Sequence, residues 1–194
     1  QHAGTALRQA RDALDHYTSI EAARHVVAGT GDLILPLKPD VPYEIARRLR
    51  SKVIQWVGRL PYPPRASAMQ HLMDGLSLEG THTLGGCIVT VKDGQMRVMR
   101  EANAVRQMKC LTTEIWDGRW VLDGPHEDDL HIAALGEGIA DCPDWRSAGL
   151  PRLSLMASPA VWRADTLISA PLAGLRSGWT VRIVADFHSS LVVH

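Results

Sequence analysis

The sequence predicts an α+β fold in which a helical first part precedes a β-rich second part. Apolar residues recur at helical spacing up to Gly80, whereas beyond it they alternate with polar residues at the two-residue period of a strand. The alternating part also contains two Asp-Gly pairs, Asp93-Gly94 and Asp117-Gly118. This dipeptide favours hairpin turns because both turn positions need positive φ. We therefore predict two subdomains, residues 1–80 and residues 81–194.

The first predicted helix covers residues 5–28. Thr18 followed by Glu21 is a capping-box pattern, so a second helix is expected to restart at Thr18. Glycines at 29 and 31 end this helical region. Residues 32–37 are expected to be a short strand or an extended link.

The next helix starts at Pro42, which suits a first-turn position. One stripe of it is apolar: Ile45, Leu49, Val53, Trp56 and Val57. Arg47 and Arg48 point away from this stripe, and Arg50 and Lys52 flank it. Three prolines in residues 58–65 end the helix. A third helix over residues 67–76 is predicted to bury four apolar side chains: Met69, Leu72, Met73 and Leu76.

In the β-rich part, the turn at Asp93-Gly94 predicts the pairs Val91 with Met96, Val89 with Val98, Thr90 with Arg97, Ile88 with Met99, and Cys87 with Arg100. The turn at Asp117-Gly118 predicts the pairs Ile115 with Trp120 and Glu114 with Val121. Residues 131–135, 166–172 and 179–185 are further predicted strands.

The overall composition is that of an ordinary globular protein, with 194 residues, 45% apolar and 22% charged. We expect no membrane-spanning segment, because no run of roughly eighteen apolar residues occurs. The chain begins with Gln1 and has no signal-peptide pattern, so we expect a piece of a longer cytoplasmic protein. Cys87, Cys110 and Cys142 form no C-x-x-C pair and are predicted to be reduced thiols.

No local motif predicts a catalytic, cofactor or metal site. The segment "HEDDLH" (residues 126–131) has its histidines five apart, whereas zinc binding on one helix face needs a spacing of four. We interpret it as a solvated acidic turn. Neither a G-x-S-x-G nucleophile elbow nor a Walker A sequence occurs. A hydrolase with a dispersed site is the weakest alternative.

Charge is unevenly distributed although the formal net charge is zero. Residues 38–65 carry seven basic and two acidic groups, a local net of +5, and residues 125–194 carry five Arg and eight acidic groups, a local net of −3. A basic stretch on a neutral chain indicates a polyanionic partner.

Several short motifs occur together in a fixed order. They are "YPPR" (62–65), "TLGGC" (83–87), "RE" (100–101), "WDGRW" (116–120) and "FHSSLVVH" (187–194). Their joint order, over about residues 6–194, resembles the C-terminal half of the tRNA(Ile)-lysidine synthetase family, most closely its alphaproteobacterial type. Each motif alone is weak, and their order makes the match specific.

The resemblance implies a reaction in which ATP adenylates the wobble cytidine of an isoleucine tRNA and free lysine then attacks to give lysidine. In that family ATP and Mg bind an N-terminal domain with an S-G-G-x-D-S loop. No such loop occurs here, and Gly85-Gly86 lacks the flanking Ser and Asp. The resemblance therefore implies a non-catalytic, tRNA-holding half of the enzyme, and leaves open whether it forms a homodimer.

Both lines of reasoning predict phosphate contacts by the basic residues of the first helices and hairpin: Arg47, Arg48, Arg50, Lys52, Arg59, Arg65, Arg97 and Arg100. The alternative is a non-catalytic interaction module whose basic helix docks onto a protein partner or onto its own missing domain. Burial of the basic face of that helix against the β part would favour this alternative.

Overall fold

The computed structural model of the chain describes residues 2–76 and 80–191. The end of the "FHSSLVVH" motif lies outside these ranges. The fold class is α+β, as predicted. The described helices are α1 (His2–His25), α2 (Tyr43–Gly58), α3 (Ala66–Gly75), α4 (Ala102–Val105), α5 (Arg152–Met156) and α6 (Phe187–Leu191). Three short 3₁₀ helices cover Gly136–Asp141, Trp145–Ala148 and Pro171–Ala173.

The strands of the described residues form three antiparallel sheets. The first sheet has the order β1-β2-β5-β4-β3 and contains β1 (Val27–Ala28), β2 (Leu33–Pro36), β5 (Gln95–Arg100), β4 (Cys87–Lys92) and β3 (Thr81–Leu84). The second has the order β10-β9-β8-β6 and contains β10 (Thr166–Ser169), β9 (Pro159–Arg163), β8 (Leu130–Ala134) and β6 (Lys109–Leu111). The third pairs β11 (Thr180–Ile183) with β7 (Trp120–Asp123).

The first sheet and the long helices share one core. The apolar stripe of α2 packs on this sheet, with Leu49, Val53 and Val57 fully buried. Phe187 of α6 joins the same core and meets the half-buried Trp56 edge-on, with ring centroids 6.0 Å apart. The second and third sheets contribute to two further apolar clusters. One contains Trp116 and Val161, and the other contains residues of the 3₁₀ helices.

The hairpin at Asp93-Gly94 confirms the predicted register in every pair. Val91 faces Met96, Val89 faces Val98, and the register continues to Cys87 opposite Arg100. The strand before Gly85-Gly86, β3, was not predicted. Both glycines have positive φ, 60° and 72°, and they form the two-residue turn that pairs Leu84 with Cys87.

The second predicted hairpin register is wrong. Trp116, not Ile115, lies opposite Trp120, and the two exchange backbone hydrogen bonds of 2.9 and 3.0 Å. The turn therefore contains three residues, 117–119, rather than two. The first residue of this turn is Asp117, whose buried carboxylate is bound by arginines. Strand β7 pairs with β11 instead of with residues 114–115.

The predicted restart of the first helix at Thr18 is also wrong. The α1 helix is continuous from His2 to His25, and the buried Thr18 hydroxyl donates to the Leu14 carbonyl at 2.7 Å instead of capping a new helix. The helix ends before the predicted residue 28, because Val27–Ala28 pairs with β2.

The first sheet pairs strands from both sides of Gly80. Strand β2, which precedes it, pairs with β5, which follows it. The division into residues 1–80 and 81–194 stays a prediction. Within the described ranges, no helix has both the length and the apolar character that crossing a bilayer requires.

Candidate nucleic-acid interface

The eight basic residues predicted to contact phosphates lie in three kinds of environment. Arg59 and Arg65 are exposed. Arg47, Arg48, Lys52 and Arg97 are half-buried and form ion pairs. Arg50 and Arg100 are buried. The three groups therefore have different access to a polyanion.

Arg59 and Arg65 have no ion-pair partner in the described part of the chain. Arg59 ends α2 in the left-handed conformation, with φ 57°, and its guanidinium lies against Gly118. It also lines a groove of about 610 Å³ together with Lys52 and Trp56. Arg65 directly precedes α3. These two side chains are the most accessible cations of the predicted set.

Glu44 holds two arginines of its own helix. Arg47 donates to both of its carboxylate oxygens at 2.7 Å, and Arg48 donates at 2.8 Å. The hydrogen bond from Arg47 is the main reason that the pKa of Glu44 is lowered to about 2. These side chains are between one fifth and two fifths exposed, so a phosphate can compete for the arginines at small cost.

Asp15 of α1 faces the same side of α2. Its Oδ1 lies 3.1 Å from Arg48 Nη1 and 3.7 Å from Lys52 Nζ. The basic face of α2 is thus turned toward α1 and solvent, whereas its apolar face lies on the first sheet. It is not buried against the β part, the arrangement that would have favoured a protein-docking module.

Arg50 and Arg100 are buried and donate hydrogen bonds within the protein, so neither guanidinium is freely exposed at the surface. Arg50 Nη2 donates to the Leu37 carbonyl at 2.7 Å. Arg100 donates two parallel bonds of 3.0 Å to Asp117 and two more to the carbonyls of Gly58 (2.9 Å) and Gly86 (3.1 Å).

Asp117 and its two arginines form a buried charge cluster, which we call the Asp117 cluster (Arg100, Asp117 and Arg119). Arg119 Nε lies 3.6 Å from the Asp117 carboxylate, and Nη1 donates to the Gly31 carbonyl at 3.1 Å. All three side chains are 7% exposed or less. Two cations share one anion, and burial lowers the pKa of Arg119 to about 10, although Asp117 opposes this shift.

Three of the motifs that carry the resemblance meet at the Asp117 cluster: "TLGGC" supplies Gly86, "RE" supplies Arg100, and "WDGRW" supplies Asp117 and Arg119. Arg119 also lies over the rings of Trp56 and Trp120, at 5.2 and 5.5 Å from their centroids. Sequence reasoning missed Arg119. The signal was present in the "WDGRW" motif, where an acid and an arginine flank a turn glycine.

Arg97 belongs to a second polar contact. Its Nη1 donates to Asp32 Oδ2 at 2.9 Å, and the Ser154 hydroxyl donates to the same oxygen at 2.6 Å. Burial raises the pKa of Asp32, and the bonds from Ser154 and Arg97 oppose that rise. Arg97 thus links β5 to the residue that precedes β2, and Ser154 of α5 bonds to the same carboxylate.

The acidic turn "HEDDLH" is a turn followed by a strand, as interpreted. His126 Nδ1 lies 2.9 Å from the Thr112 hydroxyl, whereas His131 lies within β8. Glu127 and Asp129 both pair with Arg163. Within residues 2–76 and 80–191, no three His, Cys, Asp or Glu side chains converge as metal ligands would. All three cysteines are free thiols, as predicted, with Cys87 and Cys142 buried and Cys110 half-buried.

Comparison with known proteins gives one informative similarity. The chain is 40% identical to the tRNA(Ile)-lysidine synthase of Ruegeria pomeroyi (strain ATCC 700808 / DSM 15171 / DSS-3) over 194 aligned residues. The alignment covers 97% of this chain but only 46% of that relative, so the chain spans less than half the relative's length. This confirms the resemblance predicted from the motifs. No protein-family model matches the chain.

Proposed function

We propose that this chain is the tRNA-binding, C-terminal part of a tRNA(Ile)-lysidine synthetase. The similarity to the lysidine synthase of Ruegeria pomeroyi supports the family. The observation that carries the tRNA-binding role is the exposure of Arg59 and Arg65, two cations without ion pairs in the described residues, which follow the basic helix α2 in the chain.

In this proposal, the full-length protein is an ATP-dependent ligase of the cytoplasm. Its catalytic groups, with ATP, Mg and lysine, belong to a part of the protein outside these 194 residues. The present residues bind the tRNA away from the reacting base. Arg59 and Arg65 contact phosphates directly, and Arg47, Arg48 and Lys52 exchange Glu44 or Asp15 for phosphate oxygens.

The test is the salt dependence of tRNA(Ile) binding by the full-length protein. Each lost phosphate contact lowers the slope of log K against log salt by about 0.9. The double variant Arg59→Ala/Arg65→Ala is therefore expected to reduce the slope by about two and to weaken binding at low salt. Arg182→Ala is the matched control, because Arg182 is 62% exposed but lies on β11 in the acidic part of the chain.

An unchanged slope in the double variant, or an equal loss in Arg182→Ala, would refute the assignment of the surface. Formation of lysidine from tRNA, ATP and labelled lysine tests the enzyme assignment separately. Failure of that reaction in the full-length protein, while tRNA binding persists, would leave a tRNA-binding protein of another activity.

A second role, contact with the rest of a longer protein, is favoured by the start of α1. Residues 4–13 of this helix are all exposed, and Leu7 is 73% exposed. A helical stretch that is exposed along its whole length gains stability when its apolar side packs on another surface. Amide hydrogen exchange in residues 4–13 should be slower in the full-length protein than in the 194-residue chain, and equal rates would contradict this role.

A further inference from the structure

A pocket of about 560 Å³ lies between α2, α3 and the segment after β2, and neither the motifs nor the similarity assigns it a role. Its volume is typical of small-ligand sites. Met69 and Arg50 are its buried lining residues, and Leu37 and Met73 are half-buried. Tyr43, which is 71% exposed, stands at its mouth.

Arg50 is a buried cation without an anion. Its Nη2 bonds to a backbone carbonyl, but its buried Nε has no hydrogen-bond partner. In the described part of the chain, no carboxylate forms an ion pair with it. Burial lowers the pKa of Arg50 because the charged form is poorly solvated there. Buried charges in proteins are normally paired, so this guanidinium lacks an anionic oxygen.

The other groups around Arg50 also suit an anion. Lys38 is exposed and Arg47 is half-buried, and both line the pocket. None of the described lining residues is acidic. The carboxylate of Glu44, on the same helix as Arg50, is already bonded to Arg47 and Arg48.

We propose that this pocket binds one unpaired nucleotide of RNA, with its phosphate at the Arg50 guanidinium and Lys38 and its base against Tyr43 and the methionine side chains. The lining combines what such a nucleotide needs: cations for the phosphate, an exposed aromatic ring, and an apolar interior for the flat base. A base within a duplex is stacked on both faces and does not enter a closed pocket, whereas an unpaired base does. The inference rests on the proposed tRNA-binding role and makes it more specific.

The test measures binding of a short mixed-sequence single-stranded RNA, and of a duplex of the same length, to the full-length protein. Two variants act on the pocket: Tyr43→Ala removes the aromatic ring, and Ser67→Trp fills the pocket from an exposed lining position. Tyr17→Ala is the control, because Tyr17 is an exposed tyrosine of α1 that does not line the pocket.

We expect Tyr43→Ala and Ser67→Trp each to weaken single-strand binding by about tenfold or more, as loss of one stacked base does, with little effect on duplex binding. Arg50→Met, which keeps an unbranched side chain of similar reach, should weaken it as well and lower the salt slope by about one unit.

If single-strand affinity is unchanged in Tyr43→Ala and Ser67→Trp while Arg59→Ala/Arg65→Ala still changes the tRNA salt slope, the pocket assignment is overturned and the proposed function stands. If the unsubstituted protein binds neither the short RNAs nor tRNA(Ile), both proposals are overturned. Thermal melting of each variant checks that a loss of binding is not a loss of fold.

Discussion

Replacement of Asp117 by Asn tests whether the Asp117 cluster holds the fold together by charge. Asn keeps the size of the side chain and tolerates the positive φ of 47° at this position, so the backbone of the turn is preserved. What changes is the charge: Arg100 and Arg119, 7% and 3% exposed, lose the carboxylate with which both form ion pairs.

The expected magnitude follows from this burial. Breaking a buried ion pair by removing one partner costs about 3–5 kcal/mol, because the remaining charge is neither paired nor hydrated. Arg100 retains its bonds to the carbonyls of Gly58 and Gly86, and the amide oxygen introduced by the substitution can still accept one hydrogen bond. We therefore expect a loss near the lower end, about 3 kcal/mol. A domain stable by about 5–15 kcal/mol would lose a large part of its stability.

The assay is urea denaturation followed by circular dichroism and tryptophan fluorescence. Asp93→Asn is the matched control, since Asp93 is also the first residue of an Asp-Gly turn with positive φ, 51°, but is exposed. Its effect should stay within about 0.5 kcal/mol. A loss below about 1 kcal/mol for Asp117→Asn would refute the charge argument.

A double-mutant cycle makes the test stricter. In an Arg100→Met background only one buried cation remains to be left unpaired, so Asp117→Asn should cost less than it does alone. Equal costs in the two backgrounds would show that Asp117 and Arg100 are energetically independent.

Three further predictions concern stability, pH and binding. Gly86→Ala should cost about 2 kcal/mol more than Gly94→Ala in urea unfolding: the two glycines have matching φ of 72° and 73°, but only a Cβ at Gly86 would lie 2.6 Å from Arg100 Nη1. Equal losses would contradict the contact. Burial raises the pKa of Cys87 to about 12 from 9.0, so between these values the thiol ionises only in the unfolded chain. The free energy of unfolding should therefore fall there by up to about 1.4 kcal/mol per pH unit. In urea titrations at about pH 8 and about pH 10, Cys87→Ala should lose this pH dependence, and an unaltered pH dependence would contradict the prediction. Glu44→Gln frees both arginines that it bonds, so filter binding should show tighter tRNA binding and a steeper salt slope, and an unaffected slope would argue that neither arginine reaches phosphate.

The elements that could be predicted from the sequence are those whose signals are local. The hairpin at Asp93-Gly94 has its register fixed by a two-residue turn, so every predicted pair is found. The apolar stripe of α2 likewise follows from its period. The register at Asp117-Gly118 was wrong because a distant residue, Arg100, holds the Asp117 carboxylate and leaves a three-residue turn.

For the basic residues, too, the sequence predicts what depends on local pattern and not what depends on tertiary contacts. The sequence predicts that Arg47 and Arg48 leave the apolar stripe, and both are partly exposed on α2. It does not predict which arginines the protein uses for itself. Arg50 lies on the flank of α2, one turn from the buried Ala46 and Ile54. The segment that contains Leu37 covers this flank, and the Leu37 carbonyl accepts a hydrogen bond from Arg50. Such partners are brought together only by tertiary folding.

The position of the motifs separates the argument for family from the argument for function. Gly86, Arg100 and the "WDGRW" turn meet in the buried Asp117 cluster, where they join the end of α2, the first sheet and the β7 turn. Residues with this placement preserve a fold, and a ligand cannot reach them without disrupting it. The similarity they carry is therefore evidence of shared architecture, whereas the proposed tRNA binding rests on other residues, the exposed cations and the Arg50 pocket. Substitutions in the Asp117 cluster should lower stability first, and substitutions at Arg59, Arg65 or Tyr43 should weaken RNA binding while leaving stability nearly unchanged.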